Sequence, residues 1–326
     1  MKKNKFVSII MYHYVRDLKH SRYPEIKGLD ISFFKEQIKY LKKHYHFVTM
    51  EMLIDAIQNN TSLPPKSVLL TFDDAYIDHF LYVFPILDKY KIQGSFFPPA
   101  KAIKEHIVLD VNKIHFILAA EEDRSVIISA IKRELNKYRE QYNLSSYEFY
   151  YKKLAKPGRY DTAEVIFIKR LLQVELEEDL RKMVVNNLFQ EIVGIDEESF
   201  SKELYMNMSQ MRCMLRNGMH IGSHTYDHYW LNSLVEEKQR TEISKSYDFL
   251  EELGVDMNNW TMCYPYGAYD HSTINILKEF DCKLALSTRV DVADLSLESR
   301  FELPRLNTND IPKDSTSEVN KWFTKG

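Results

Sequence analysis

Residues 67–74, with the sequence Ser-Val-Leu-Leu-Thr-Phe-Asp-Asp, decide the fold class of this chain. The apolar run 67–72 is typical of a strand that is buried on both faces. Asp73 and Asp74 follow it directly, at the carboxyl end of the strand, where parallel α/β proteins build their sites. The stretch therefore predicts a parallel sheet or barrel with chemistry at its carboxyl edge.

Strand and helix patterns alternate on both sides of this stretch. Helices are expected between the strands, the first capped by Ser32 and others at 52–57, 82–90, 236–253 and 272–280. The remaining predicted strands are 6–12, 46–50, 94–97, 219–223, 260–264 and 283–287. This alternation favours one parallel sheet or barrel.

A helical pattern with almost no strand pattern occupies residues 104–216. We therefore predict one α/β barrel, formed by residues 1–103 and 217–326, that is interrupted by a helical insertion at 104–216. Because the insertion separates Asp73 and Asp74 from the downstream histidines, we expect it at the rim of the site, as a lid, a substrate wall or a dimer surface. Its aromatic residues are typical of helix packing, with ring stacking as the alternative: Tyr142, Tyr147, Phe149, Tyr150, Tyr151 and Tyr160.

Composition and charge narrow the class of protein further. The 326 residues are 44% hydrophobic and carry a formal net charge of −3, which gives no electrostatic basis for binding nucleic acid. Cys213, Cys263 and Cys282 are too widely spaced for a disulfide framework or a zinc knuckle, which is typical of a reducing compartment. The apolar run after the basic residues 1–5 is shorter than a signal peptide requires, and no run reaches the roughly 20 residues of a membrane span. We expect a cytoplasmic protein.

Asp73 and Asp74 are candidates for two different roles. Adjacent carboxylates that leave a strand point in different directions, so one can bind a metal while the other acts as a base. The alternative is that they cap the free amides of a helix that begins there.

His224 and His228 are candidates for binding one cation. At a spacing of four on a helical turn they would share a face. His220 and His224 have the same spacing, but Gly222 and its apolar neighbours indicate a strand there. The alternative is that these histidines are satisfied core residues. One aspartate and two histidines are a common three-ligand set that leaves a position open.

Three motifs together resemble the NodB-homology polysaccharide deacetylases, also called carbohydrate esterase family four. The motifs are Thr71-Phe72-Asp73-Asp74, His224-Thr225-x-x-His228 and Tyr264-Pro265-Tyr266-Gly267. The resemblance implies a distorted (β/α) barrel of the polysaccharide deacetylase type, here with a large helical insertion. It also implies a divalent metal, with zinc expected first and cobalt, nickel or iron as alternatives. The implied reaction removes N-acetyl, sometimes O-acetyl, groups from sugars.

The resemblance assigns roles to individual residues. Asp74, His224 and His228 correspond to the metal ligands, and Asp73 corresponds to the base that deprotonates the attacking water. The backbone amide near Tyr266 would complete an oxyanion site, because a turn after a strand presents free N–H groups.

The general acid of many members is a histidine that ends a late Leu-x-Leu-x-His strand. The late strand here, residues 284–288, has no such histidine, whereas the first strand ends at His13. This order resembles the circularly permuted subgroup, which includes poly-N-acetylglucosamine deacetylases. The resemblance therefore makes His13 the candidate general acid, with a structural histidine at the barrel end as the alternative.

Two of the departures from the family pattern bear on the chemistry of the site. Ala75 stands where the family usually has glycine, and because alanine tolerates positive φ poorly, we expect a slightly different local backbone. Cys263 stands near the usual position of an arginine that orients the base. Arg305 could replace that arginine through a charge-assisted bond to Asp73, or it could lie at the surface or the sheet edge.

The expected function is a metal-dependent hydrolase that removes N-acetyl groups from an acetamido-sugar or glycan, in the biosynthesis of surface polysaccharide. The alternatives are an O-acetyl esterase on the same barrel and a catalytically degenerate protein that binds glycan or serves as a scaffold. The expected partners are an acetylated carbohydrate, a second copy of the chain bound through the insertion, and a membrane-associated component of glycan biosynthesis.

Overall fold

The strand that contains Asp73 lies inside an α/β unit of this chain. The computed structural model describes residues 3–158, 161–296 and 299–325, so that Tyr160 lies outside the described residues. The chain forms two compact units. We call the first the barrel unit (Met1–Asp17, Gly28–Ile107 and Ser201–Gly326) and the second the helical unit (Leu18–Lys27 and Val108–Phe200).

The boundaries between the units differ from the predicted ones. Residues 201–216, predicted to be part of the insertion, belong to the barrel unit, and residues 18–27 belong to the helical unit. The helical pattern of residues 201–216 does not indicate which unit they belong to, because a helix can pack on either unit. The backbone explains it, since Tyr205 forms a bridge with Tyr76 and the amide of Met206 donates to the carbonyl of Ala75.

The strands of the described chain are numbered in chain order. They are β1 (Phe6–Tyr12), β2 (Val15–Arg16), β3 (Leu29–Asp30), β4 (His46–Phe47), β5 (Ser67–Asp73), β6 (Gly94–Phe97), β7 (His220–Ile221), β8 (Met262–Cys263), β9 (Ala285–Leu286), β10 (Ala293–Asp294) and β11 (Leu306–Asn307).

The helices connect these strands and form most of the helical unit. They are α1 (Ile31–His44), α2 (Met50–Gln58), α3 (Phe84–Tyr90), α4 (Ala100–Glu105), α5 (Asp110–Ala120), α6 (Arg124–Tyr138), α7 (Tyr147–Leu154), α8 (Ala163–Arg170), α9 (Glu178–Ile192), α10 (Glu197–Leu204), α11 (Met208–Arg216), α12 (Glu236–Leu253), α13 (His271–Glu279) and α14 (Lys321–Lys325). None of the described helices combines the length and apolar character needed to cross a bilayer.

The strands of the barrel unit pair in a mainly parallel arrangement. The order in the main sheet is β10-β1-β5-β6-β7, and β4 and β11 add to β5 and β1. Strand β1 runs parallel to β5 from Val7 opposite Ser67 to Tyr12 opposite Phe72. Strand β10 is the antiparallel partner of β1. The α/β class and the parallel sheet are thus confirmed.

Single bridges continue this sheet around the unit. Ser223, after β7, pairs with Met262 in β8, and β8 pairs with β9. Leu286 in β9 then pairs with Leu303, three residues before β11, which lies beside β1. The pairings therefore lead from β7 through β8 and β9 back toward β1, but the described residues do not form one continuous closed ladder. The strands are long on one side of the unit and very short on the other.

The late strands are shorter than the apolar runs that predicted them. Strands β7, β8 and β9 have two residues each, whereas the runs 219–223, 260–264 and 283–287 have five. The flanking residues Trp260, Tyr264 and Leu284 are nevertheless fully buried. The hydrophobic runs indicated which residues are buried. They did not indicate the length of the strands, because a residue can be buried without forming the backbone hydrogen bonds of a sheet.

Several element boundaries in the first hundred residues also differ from prediction. Asp30, not Ser32, caps α1, and its side chain accepts the amide N–H of Ser32. Helix α2 begins at Met50 with Thr49 as its cap, which ends β4 at Phe47. The predicted helix 82–90 is a π-helical turn from His79 to Val83 followed by α3, which has a proline in its first turn.

Candidate active site

Polar side chains collect at the carboxyl ends of the barrel strands. Asp73 ends β5 and Asp74 follows it, His13 follows β1, and the loop after β7 carries His224 and His228. Strand β8 ends at Cys263, before Tyr266, and Arg305 directly precedes β11. Because parallel strands end at one edge, all of these predicted residues share that edge of the barrel.

Asp74 lies in a tight turn with left-handed backbone. The φ angles are 72° at Asp74 and 54° at Ala75, so the expectation that alanine would force a different backbone here is wrong. The amide of Asp74 donates to the carbonyl of Phe97 at 3.1 Å, and the Ala75 carbonyl accepts from Met206 at 2.9 Å. These hydrogen bonds hold a conformation that costs an alanine roughly 1–2 kcal/mol.

Asp74, His224 and His228 form a buried cluster that fits a divalent cation. Asp74 Oδ1 lies 3.5 Å from His224 Nε2 and 3.4 Å from His228 Nε2. Ligands of a tetrahedral ion with bonds of 2.0–2.1 Å lie about 3.4 Å apart. Asp74 Oδ1 has no hydrogen-bond partner among the described residues, although it is buried. A buried carboxylate oxygen without a partner is costly, and a bound cation would remove that cost.

The hydrogen bonding of His224 prepares its ring to bind a metal. Its Nδ1 lies 2.7 Å from the carbonyl oxygen of Cys263, which only accepts, so Nδ1 carries the proton. The lone pair of Nε2 is then free toward Asp74. Burial lowers the pKa of His224 to about 4, so the imidazole is neutral at neutral pH, the form that binds cations.

The loop that carries the two histidines is not the predicted helical turn. Residues 224–228 form no helix, and Thr225 and His228 have φ angles of 63° and 57°. The Thr225 hydroxyl accepts the amide of His228 at 3.1 Å, and the Ser223 hydroxyl accepts the amide of Thr225 at 3.1 Å. Two left-handed residues therefore bring the ring centroids of His224 and His228 to 4.8 Å, so the expectation of a helical turn is wrong although the two rings are neighbours.

The excluded histidine, His220, lies within β7, as expected. Its Nε2 is 2.8 Å from the hydroxyl of Thr261, and its Nδ1 is 3.7 Å from Glu51. It is a buried and satisfied histidine that does not take part in the Asp74 cluster.

Asp73 is held by a bidentate ion pair with Arg305. The two guanidinium nitrogens of Arg305 donate to Oδ1 at 2.9 Å and to Oδ2 at 2.8 Å. Arg305 is fully buried and also donates to the Ser287 carbonyl and the Thr71 hydroxyl. Burial alone would raise the pKa of Asp73, but the positive charge of Arg305 outweighs it and lowers the pKa to about 2. Asp73 is therefore ionised at neutral pH.

Cys263 contacts the same carboxylate and belongs to a second, less favourable cluster of possible cation ligands. Its Sγ lies 3.5 Å from Asp73 Oδ2, and burial keeps the pKa of the thiol well above its usual range. Asp73, His224 and Cys263 are close enough together to hold an ion. Because Arg305 already neutralises both oxygens of Asp73, a cation is favoured at Asp74 instead.

His13 and Tyr266 border this centre. His13 Nε2 lies 3.9 Å from Asp73 Oδ2, and its side chain is 40% exposed. Tyr266 has a φ of 57°, and its ring lies 4.8 Å from the ring of His228 and stacks on Trp230 at 4.5 Å. The half-exposed imidazole of His13 therefore faces the ionised carboxylate of Asp73.

Sequence reasoning missed three buried residues that support the site. Tyr76 donates its hydroxyl proton to Asp74 Oδ2 at 2.7 Å, and His79 Nε2 lies 2.8 Å from the carbonyl of His13. Glu242, on α12, accepts the amide N–H of Asp227 at 2.7 Å and so holds the loop between the two histidines. No local pattern marks these residues, since each depends on a contact between separate segments.

Comparison with known protein families gives one match, which covers more than half of the chain. The sequence profile described as "Polysaccharide deacetylase" matches residues 60–140 and 194–285, just over half of the chain. The Bacillus subtilis protein YxkH is 25% identical over 96 residues, which is 29% of this chain and 34% of that protein. The chain thus matches only about a third of the length of this curated relative.

Two solved structures have a similar fold over almost their whole length. The Streptococcus pyogenes deacetylase PplD, in complex with acetate, is 19% identical with a TM-score of 0.58, covering 94% of this chain and 93% of that chain. IcaB from Ammonifex degensii is 20% identical with a TM-score of 0.55, covering 94% of each chain. At these identities the likeness shows the fold alone.

The buried Glu242 predicts a pH dependence of stability. Burial raises its pKa from 4.5 to about 7, so its contribution to folding is complete below pH 4.5 and is lost as the pH rises through 7. The free energy of unfolding should fall by about 3 kcal/mol at most over this pH range. Glu242→Gln should remove this pH dependence. The free energy of unfolding of the variant minus that of the wild type should therefore be larger at pH 8 than at pH 4.5. Urea unfolding of the metal-free proteins at both pH values measures it.

The control for this experiment is Glu237→Gln, which changes an exposed glutamate on the same helix. It should leave the difference in unfolding free energy between the two pH values as it is in the wild type. Parallel pH profiles for the wild type and Glu242→Gln would contradict the prediction.

Proposed function

The chain belongs to the polysaccharide deacetylase family, and we propose that it is a metal-dependent hydrolase that removes N-acetyl groups from an acetamido-sugar or glycan. One observation carries the proposal. Asp74 Oδ1 faces the Nε2 atoms of His224 and His228, while the adjacent carboxylate of Asp73 is ionised by Arg305. Two adjacent carboxylates thus have the separate environments that cation binding and proton transfer require.

Asp74, His224 and His228 would hold the cation, with zinc as the first expectation and cobalt, nickel or iron as alternatives. All three side chains are buried, and the donor set of one oxygen and two imidazole nitrogens suits these metals. When bound, the cation supplies Lewis acidity that polarises the substrate carbonyl and acidifies water.

Asp73 would accept the proton of the attacking water. The bidentate contact with Arg305 fixes the carboxylate in one orientation and keeps it ionised. Because its pKa is about 2, the carboxylate holds a proton only briefly and must pass it on. His13, with Nε2 3.9 Å away, is the adjacent acceptor.

His13 would deliver a proton to the departing nitrogen. An amide anion is a poor leaving group, so the C–N bond breaks only when the nitrogen is protonated. The partly exposed side chain of His13 can reach a substrate, while His79 fixes its backbone carbonyl. The backbone amide near Tyr266, in a left-handed turn after β8, would stabilise the developing oxyanion.

We also propose a wider biological role, which the family membership supports only in outline. We expect an acetylated carbohydrate as substrate, in the modification or biosynthesis of surface polysaccharide, with a membrane-associated partner. Residues 104–216 are still our candidate for a lid, a substrate wall or a dimer surface.

The two aspartates should respond differently to removal of their charge. Asp73→Asn should keep the metal and lower kcat by about 10²–10⁴-fold, because the base is lost. Asp74→Asn should lose metal affinity, because an amide is a weaker ligand than a carboxylate. Metal content and turnover of chitin oligomers, measured in parallel, separate the two effects.

Asp73→Asn leaves Arg305 buried without a counter-charge, so thermal unfolding of this variant is measured first. Arg305→Lys is the second variant, because it keeps the positive charge but not the bidentate contact. It should bind metal normally and lower kcat. Full activity of both Asp73→Asn and Arg305→Lys would exclude Asp73 as the base.

His13→Ala should impair amide hydrolysis more than ester hydrolysis. We expect a loss of about 10²-fold on an N-acetylated sugar but little loss on 4-nitrophenyl acetate, whose leaving group needs no proton. The control is His271→Ala, an exposed histidine at the start of α13. Equal losses on both substrates would remove the general-acid assignment.

A further inference from the structure

The two carboxylate oxygens of Asp74 have different surroundings. Oδ1 faces the Nε2 atoms of both histidines and has no hydrogen-bond partner among the described residues. Oδ2 accepts the hydroxyl proton of Tyr76 at 2.7 Å. One oxygen is therefore available to a cation and the other is already engaged.

The Tyr76 ring is fixed in place by its neighbours. Tyr76 is fully buried, and its ring stacks on Tyr14 with a centroid distance of 3.9 Å and an interplanar angle of 18°. The ring of Tyr205 lies nearly parallel to it, at 6.3 Å and 13°. A backbone bridge also joins Tyr76 to Tyr205. Tyr14 and Tyr205 belong to two separate segments of the barrel unit. Packing against both of them therefore holds the Tyr76 hydroxyl against Asp74.

The local backbone explains why a residue two positions after Asp74 reaches its side chain. Asp74 and Ala75 both have left-handed backbone, which turns the chain back immediately after β5. Tyr76 then lies beside the carboxylate instead of continuing away from it. A regular strand would place residues 74 and 76 on one face but directed in parallel, without this contact.

We propose that Tyr76 is a positioning residue that makes Asp74 a monodentate metal ligand and thereby keeps a coordination position open. The inference rests on the proposed metal site. A carboxylate can bind a cation through one oxygen or two. With two histidines, a bidentate Asp74 would supply four donor atoms and fill a tetrahedral site, whereas catalytic sites use three protein donors. The Tyr76 hydroxyl, by engaging Oδ2, prevents that closure.

The alternative is that Tyr76 only fills space in the aromatic stack. Both roles predict some loss of stability on substitution, so stability alone does not distinguish them. Metal affinity and coordination number do, because a packing role affects neither when the hydroxyl alone is removed.

The first test is the zinc affinity of Tyr76→Phe, measured by competition with a chromogenic chelator. Loss of a hydrogen bond to a metal ligand should weaken zinc binding by about 10–100-fold. The matched control is Tyr12→Phe. Tyr12 is also fully buried and stacked, at 5.0 Å on Phe72, but its hydroxyl has no partner among the described residues. Tyr12→Phe should bind zinc as the wild type does.

The second test is the visible spectrum of the cobalt-substituted proteins. The wild type and Tyr12→Phe should give the intense bands of four-coordinate cobalt. Tyr76→Phe should give weaker bands, because the released Oδ2 raises the coordination number. X-ray absorption of the zinc-loaded wild type provides a readout that needs no variant, and it should show a monodentate carboxylate.

The outcomes separate this inference from the proposed function. A wild type that binds zinc through a bidentate carboxylate, or a Tyr76→Phe variant with unchanged affinity and spectrum, would overturn the role of Tyr76 but leave the metal site intact. A wild type that binds no metal would overturn both.

Discussion

The buried ion pair between Arg305 and Asp73 is the interaction on which the site depends. Asp73 and Asp74 are consecutive and both buried, so two negative charges would repel each other strongly without compensation. Arg305 neutralises one of them through two hydrogen bonds, and the other is left to face the imidazoles of His224 and His228. Arg305 lies between Leu303, which pairs with β9, and β11, which pairs with β1, so its ion pair with Asp73 also ties this segment to β5. A buried pair of this kind adds little to stability by itself, but losing one partner is costly.

Around this pair, most atoms that the chemistry needs have a fixed partner. The Nδ1 atom of His224 is held by the Cys263 carbonyl, and Asp74 Oδ2 by the Tyr76 hydroxyl. Glu242 holds the loop between the histidines by accepting a backbone amide. These contacts leave Asp74 Oδ1 buried and without a hydrogen-bond partner among the described residues, and a positive charge there would be stabilised. Preorganisation of this kind means that little reorganisation accompanies metal binding or proton transfer.

Much of the fold and the main site residues could be predicted from sequence, for identifiable reasons. Strand β5 is buried at every position, and its apolar run recorded that burial directly. Arg305 could be named as a partner of Asp73 because Cys263 stands near the position where the family usually has an arginine. The geometry of the histidine loop could not be predicted, since the left-handed backbone of Thr225 depends on hydrogen bonds within the folded loop. Tyr76 was missed because its contact with Asp74 depends on ring stacking between separate segments. Hydrophobic periodicity does not indicate which hydroxyl group contacts which carboxylate.

The most direct test of this account is anomalous diffraction at the zinc edge from crystals of the zinc-loaded protein. We expect one strong peak about 2.0–2.2 Å from Asp74 Oδ1 and from the Nε2 atoms of His224 and His228. Asp73 should remain paired with Arg305 and outside the coordination sphere. A peak within bonding distance of Asp73 and Cys263 instead, with Arg305 displaced, would contradict the assignment of Asp74 as the metal ligand and Asp73 as the base.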